Sequence, residues 1–275
     1  MSAKMYRTMT RVIYILLLVL MCVPSAGQEF KAFKGTVSGS YNYWFLDPQV
    51  EDDPNAHFPL LIFLHGASLC GNNLDKVKRY GPISAVARGR SIDSYILAPQ
   101  NNGGEWRPEK IMKIVDWAIE HYSVDTTRIY VYGMSLGGYG TIDFTATYPE
   151  RVAAAMAICG GGSVKDLSGL SKVPLWIIHG TADRAVSIKE SDRVVNAIKA
   201  TGDESRLIYT KLPGVDHGRP ARLFYMYQTY DWLFSHSTQD PNREVCRDFE
   251  VTKEMLNQAY QDLGRNQQID ETEYE

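Results

Sequence analysis

The chain has 275 residues, 44% of them hydrophobic and 11% aromatic, which suffices for one large core or two small ones and excludes a wholly disordered protein. A formal net charge of −3 leaves no basic excess to neutralise phosphates, so a nucleic-acid partner is not expected. The four cysteines form no CxxC pair and no His/Cys spacing suited to zinc, so neither a metal nor an organic cofactor is implied.

Residues 1–27 read as an export signal. Lys4, Arg7 and Arg11 give a basic start, VIYILLLVLMCV is the apolar core, and Ser25 and Gly27 are small residues suited to cleavage near Gly27. The apolar run falls short of the ~20 residues of a membrane span. The expected product is an exported soluble protein, periplasmic or secreted, with no stable membrane association; an uncleaved anchor is the alternative. Cleavage removes three basic residues and no acidic ones, leaving a charge of −6. Residues 240–275, with ten acids and four bases, carry that whole excess.

From residue 28 to 238 short apolar runs alternate with helical patterns, which marks one catalytic domain. TVSGSYNYWFL alternates and is Tyr-rich, as expected of an antiparallel edge strand. FPLLIFLHG, DSYILAP, RIYVYG, AAAMAICGG, VPLWIIHG and RLIYTKL hold apolar runs short enough for strands, with no strict alternation of polar and apolar residues. PEKIMKIVDWAIEHY, GYGTIDFTATYP and IKESDRVVNAIKATG between them repeat apolar residues at three- and four-residue steps. This alternation predicts an α/β fold: a mainly parallel twisted sheet covered by helices on both faces. In residues 239–275, Val245, Phe249, Leu256, Ala259 and Leu263 fall on one stripe, which predicts an acidic helical tail docked on the body. Among the cysteines left after cleavage, a Cys70–Cys159 bridge is conceivable in an oxidising compartment.

Ligands of such a sheet bind beyond the carboxyl ends of its strands. There Gly133-Met134-Ser135-Leu136-Gly137 fits G-x-S-x-G between a strand and a helix. A serine on a strained, tight turn needs small neighbours, and the following helix aims its first amides at the site. Ser135 is therefore the candidate nucleophile and the Leu136 amide a candidate oxyanion donor. An idle serine in a glycine-rich turn is the competing reading. Of six histidines, His217 in LPGVDHGRP lies on a loop after the last strand, free to act as base; His65 and His179 end strands ahead of Gly and are read as backbone braces. Asp183 in HGTADRAV supplies the carboxylate, in the chain order Ser, Asp, His. Asp216 adjoins His217, and adjacent side chains usually diverge. A second oxyanion amide is expected at Ala67 or Ser68. Glycines at 138 and 140 followed by Asp143 fail the dinucleotide fingerprint.

The segments LHGAS, APQ, VDTTRIYVYGMSLGGYGT, YPERVAAAMAICGGG, IIHGTADRAV and DHG follow one another as in the α/β-hydrolase superfamily. Over about residues 35–235 the chain resembles its exported esterase branch, related to prolyl-oligopeptidase catalytic domains, feruloyl-esterase-like proteins and polyhydroxyalkanoate-depolymerase-like proteins. The resemblance implies the α/β-hydrolase fold with Ser135, Asp183 and His217 as nucleophile, acid and base.

Between Cys159 and Pro174 lie 14 residues, enough for a loop and too few for a helical cap domain. An open site suits an acyl group on a bulky molecule, so the expected activity is hydrolysis of carboxylic esters on carbohydrates or other small esters. A prolyl-oligopeptidase-type peptidase and a non-catalytic binding protein of the same fold are the alternatives. Trp106 is a candidate aromatic wall for substrate, with packing at the next helix as the competing reading. Arg184 and Arg219 are candidate contacts for an anionic substrate, or surface residues.

Overall fold

The computed structural model describes residues 29–48, 56–261 and 263. The export-signal assignment at 1–27 and the last acidic residues of the tail lie outside the described residues. Among the described residues one eight-stranded sheet organises the fold, in the order β1-β2-β4-β3-β5-β6-β7-β8. Its strands are β1 (Phe30–Phe33), β2 (Tyr43–Leu46), β3 (Phe58–Leu64), β4 (Tyr95–Pro99), β5 (Val124–Met134), β6 (Ala154–Ile158), β7 (Leu175–Gly180) and β8 (Leu207–Leu212). β1 and β2 pair antiparallel, as do β2 and β4, and every later junction is parallel.

The apolar runs of the strands follow from cores on both faces. Leu60, Ile62 and Leu64 of β3 enter one core, while Leu61 and Phe63 enter the other. The first core takes helices α2 (Pro108–His121), α3 (Leu136–Thr147) and α4 (Lys189–Ala200), through residues such as Ile114, Phe144 and Val194. The second takes α1 (Pro82–Ala87) and α5 (Tyr227–Phe234), through Ile83 and Trp232. Pro108 and Pro82 each stand in the first turn of their helices, where the missing amide costs nothing. Between β6 and β7 the described chain makes a 3-10 turn at Ser168–Lys172 and no cap domain.

Three expectations need correction. TVSGSYNYWFL is a strand only over Tyr43–Leu46 and is not the edge. The edge is β1, whose four residues FKAF are too few to display a period, and whose Phe33 ring stacks on Tyr43 at 5.1 Å. Residues preceding β2 turn instead, with Gly35 and Gly39 at φ +65° and +71°. The tail docks on the body as its stripe implies, with Val245, Leu256, Ala259 and Leu263 buried. Its helix, α6, is confined to Lys253–Gln258. Upstream, the Cys246 amide donates to His236 Nε2 at 2.9 Å and Trp232 Nε1–H donates to the Cys246 carbonyl at 3.0 Å, which removes those groups from any helical ladder. Thr252 then caps α6 by accepting the Met255 amide at 3.2 Å. Cys70, Cys159 and Cys246 are all free thiols, so no Cys70–Cys159 bridge forms. Among the described residues no helix is long and apolar enough to cross a membrane.

Candidate active site

Ser135 stands where β5 ends and α3 begins, at φ +59° and ψ −122°. A positive φ is costly for a residue with a Cβ and persists only where the surroundings enforce it. Here the Ser135 amide donates to Ile158 O of β6 at 2.9 Å, and the Tyr139 amide donates to Ser135 O at 3.0 Å, so the turn is held on both sides. Its glycines answer to close backbone approach: a Cβ on Gly133 would sit 2.4 Å from Leu64 O, and one on Gly137 1.8 Å from the same atom. Leu136 is the first residue of α3, so its amide has no partner within the helix.

Ala67 and Ser68 open a 3-10 turn directly after β3 and are exposed. The Leu69 and Cys70 amides fold back onto Gly66 O and Ala67 O, at 3.2 and 3.0 Å, which leaves the two preceding amides at the head of the turn. Gly66 is clamped from both faces. Its amide donates to the Tyr80 hydroxyl at 2.5 Å, and its carbonyl receives His65 Nδ1–H at 2.7 Å. The other ring nitrogen of His65 accepts the Asn101 amide at 3.1 Å, which fixes the neutral Nδ1–H tautomer. Burial pushes the His65 imidazole down to about 4, with the Gly66 carbonyl acting in the opposite direction. Burial likewise raises the Tyr80 phenol, which also meets the Ser68 side chain. A Cβ on Gly66 would lie 3.4 Å from Ser135 Cβ, so this clamped turn abuts the serine.

Asp183 follows β7 and His217 follows β8. His217 Nδ1 lies 2.6 Å from Asp183 Oδ2; the imidazole is 21% exposed and the carboxylate fully buried. The Ala185 and Val186 amides donate to Asp183 Oδ1 at 2.9 and 2.8 Å. Burial pushes the Asp183 carboxyl up, but hydrogen bonds from His217 and these amides outweigh it, so its pKa lies below the usual carboxylate value. Strand exits are tied together along this edge: Cys159 N–H donates to Ile178 O, Thr181 N–H to Leu212 O and Ala182 N–H to Val215 O. Ser135, Asp183 and His217 therefore share the carboxyl edge of the sheet, with β6 between the serine and the aspartate. Asp216 is exposed and its Oδ1 accepts the Arg219 amide at 3.0 Å, a turn role.

Trp106 requires correction. Its ring is 2% exposed, packs edge-on against His65 and Tyr41, and donates Nε1–H to His65 O at 3.2 Å. A Cβ on Gly140 would strike it at 2.7 Å, so the tryptophan wedges α3 in place and offers no wall to substrate. Arg184 is exposed and Arg219 half-buried. Sequence reasoning missed the Tyr80 clamp and the contact of His179 with Asp183, at 3.2 Å between Nε2 and Oδ2. The dipeptide His-Gly at a strand end signalled a brace, and nothing in it signalled the carboxylate. Cys159, His179 and Asp183 place a thiol, an imidazole and a carboxylate within 4.8 Å of one another. Those donors do not suit a metal: both nitrogens of His179 are engaged in hydrogen bonds, and burial holds the Cys159 thiol protonated.

The model of the prolyl oligopeptidase family matches residues 93–168, which run from β4 through Ser135 to the loop after β6. The chain is similar to the probable acetylxylan esterase A of Aspergillus clavatus, at 24% identity over 57% of this chain and 47% of that protein. It is also similar to poly(3-hydroxyalkanoate) depolymerase C of Paucimonas lemoignei, at 29% identity over 38% of this chain and 28% of that protein. The matched stretches thus span about half or less of those curated relatives. Among solved structures, a thermostable esterase superposes with a TM-score of 0.61 at 26% identity, over 77% of this chain and 63% of that one.

Proposed function

We propose that this chain, which belongs to the α/β-hydrolase superfamily, is a serine esterase that cleaves carboxylic esters through an acyl-enzyme, with acyl groups on carbohydrates as the favoured substrates. The observation that carries the reading is the 2.6 Å hydrogen bond between His217 Nδ1 and the buried Asp183 carboxylate, on the sheet edge where Ser135 holds a positive φ. With Nδ1 engaged, Nε2 is the ring nitrogen left to take a proton from Ser135 Oγ. Oγ then attacks the ester carbonyl carbon, and the carbonyl oxygen becomes an oxyanion facing the Leu136 amide and an amide at Ala67 or Ser68. Each such donor is worth about 3–4 kcal/mol at the transition state. His217 passes its proton to the departing alkoxide, leaving the acyl group on Ser135. Water deprotonated by His217 next attacks that ester, and His217 returns the proton to Ser135 Oγ as the bond to the acyl group breaks and the carboxylic acid leaves. Asp183 stays ionised throughout and stabilises the imidazolium.

The absence of a cap domain from the described chain between β6 and β7 supports an open site that accepts acyl groups on bulky alcohols. The acetylxylan esterase relatives support a carbohydrate as that alcohol. The basic and apolar residues of 1–27 support export to where such polymers occur. The match to the prolyl oligopeptidase family favours a second reading, a serine peptidase. An amine leaves less readily than an alkoxide and demands better-timed protonation, so the ester is the easier substrate for an open site.

The test is turnover of p-nitrophenyl acetate and of acetylated xylan by wild type and Ser135→Ala. The variant should lose about 10⁴-fold or more in kcat with its circular dichroism unchanged. Equal rates in the two proteins would sink the enzyme reading, and faster cleavage of an Xaa-Pro amide than of either ester would replace the esterase by the peptidase.

A further inference from the structure

We propose that His179 is a positioning residue for the base: its Nε2–H anchors Asp183 Oδ2, the same oxygen that His217 Nδ1 uses, and so fixes the carboxylate against which His217 is aligned. The inference rests on the reading of Ser135, Asp183 and His217 given above. Both His179 and Asp183 have fully buried side chains, 3.2 Å apart, while His217 reaches the shared oxygen at 2.6 Å.

The tautomer follows from what surrounds the ring. His179 Nε2 faces two oxygens, Asp183 Oδ2 at 3.2 Å and Val186 O at 3.0 Å, and an unprotonated nitrogen offers neither of them anything. Nε2 therefore carries the proton and shares it between them. Nδ1 lies 2.8 Å from Ser191 Oγ, a hydroxyl buried in α4 that also sits 2.9 Å from Gly160 O. Burial lowers the His179 pKa more than its carbonyl and carboxylate partners raise it, so the ring is neutral, and its Nδ1 shares the one Ser191 hydroxyl proton with Gly160 O. His179 is thus a neutral donor with a fixed orientation, held by β7, α4 and the Val186 turn together.

Other charged and titratable groups are placed consistently. The Cys159 thiol faces Asp183, and burial together with the Asp183 and Asp216 carboxylates keeps it protonated. Asp192 on α4 acts on the ring from a distance and is itself paired with Lys211 at 2.8 Å. His217 is the remaining imidazole near the cluster. The carboxylate is thereby shared among donors, and only His217 leads outward.

Two consequences separate positioning from bulk support. Losing the His179 donor lets Asp183 swing, which lowers kcat/KM. It also leaves Oδ2 wholly to His217, which favours the imidazolium and moves the acid limb of the kcat/KM profile to higher pH. The experiment is the pH dependence of p-nitrophenyl acetate hydrolysis by wild type, Ser135→Ala, His179→Leu, His179→Gln and Ser191→Ala, with folding followed by circular dichroism. His179→Leu should lose roughly 30-fold in kcat/KM, chiefly in kcat, with the acid limb raised by about half a pH unit or more. His179→Gln, whose amide restores a donor, should recover about tenfold of that loss. Ser191→Ala, a milder change to the Nδ1 partner, should move the limb in the same direction by less, and it keeps the test decisive if His179→Leu does not fold. An unmoved limb in Ser191→Ala and in whichever His179 variants fold, or His179→Gln no better than His179→Leu, overturns the proposal. Hydrolysis that persists in Ser135→Ala overturns instead the reading of the site on which the proposal rests.

Discussion

Gly137→Ala sets two opposing effects against each other at one residue. Gly137 lies in the first turn of α3, where alanine is favoured over glycine by about 0.8–1.0 kcal/mol on helix propensity alone. The new Cβ would lie 1.8 Å from Leu64 O and 2.9 Å from His65 O, where ordinary contact begins at 3.4 Å. Both obstacles are backbone atoms at the end of β3, so no change of rotamer relieves them, and strand and helix must part by about 1.6 Å. Overpacking of this kind costs about 1–3 kcal/mol even where side chains yield, and β3 is pinned between β4 and β5. The clash wins, with a net loss of at least ~2 kcal/mol. For a domain of this size that lowers Tm by roughly 4–8 °C. Because Leu64 leads into the Gly66 turn, the Ala67 and Ser68 amides move as well, and kcat for acetyl esters should fall at least about tenfold. Thermal unfolding by circular dichroism and ester kinetics on one preparation measure both. A Tm at or above that of wild type would refute the argument, since propensity would then outweigh the contact.

Two further outcomes follow from titratable groups. His65 takes up a proton near 6.5 when unfolded but near 4 when folded, so the unfolded chain holds more protons between those values and stability falls as pH falls through that window. The loss is on the order of 3 kcal/mol, and His65→Asn should flatten the pH dependence of the urea midpoint from 6.5 down to 4. A variant slope as steep as that of wild type would contradict it. With Cys70, Cys159 and Cys246 all free, dithiothreitol should leave Tm unchanged, and a thiol reagent should modify half-exposed Cys70 and Cys246 well before buried Cys159. A reductant-dependent drop in Tm would count against it.

Six of the strands were legible as continuous apolar runs, and three of the helices because each carries a three- and four-residue period over enough residues. FPLLIFL and RIYVYG have no polar face, so both sides of the sheet had to be covered, and the two cores bear this out. β1 was not legible, because four residues of FKAF carry no period and its pairing is supplied by Tyr43 and its neighbours across the sheet. The tail misled for the converse reason. Its stripe is real and buried, but hydrogen bonds to His236 and from Trp232 hold residues around Cys246 out of a helix, and sequence periodicity contains no record of those partners. Trp106 was ambiguous until Gly140 was seen to lie against it.

The candidate site divides the same way. Ser135 is local, since its glycines stand two residues to either side and the reason for them can be read from the motif. Asp183 needs a place to put its charge, and that requirement is not local. A carboxylate with no solvent exposure is tolerable only when donors surround it, because leaving it unpaired costs several kcal/mol. The Ala185 and Val186 amides come from its own turn, but His179, His217 and the Cys159 thiol come from β7, the loop after β8 and the end of β6. Three separated stretches of chain thus converge on one carboxylate, and each looks unremarkable when read alone. The physical need for a satisfied buried charge explains why a histidine ends β7 and why Cys159 accepts φ +47° beside it. Once the carboxylate is fixed from behind, the single imidazole that leads toward solvent is the one able to meet a substrate.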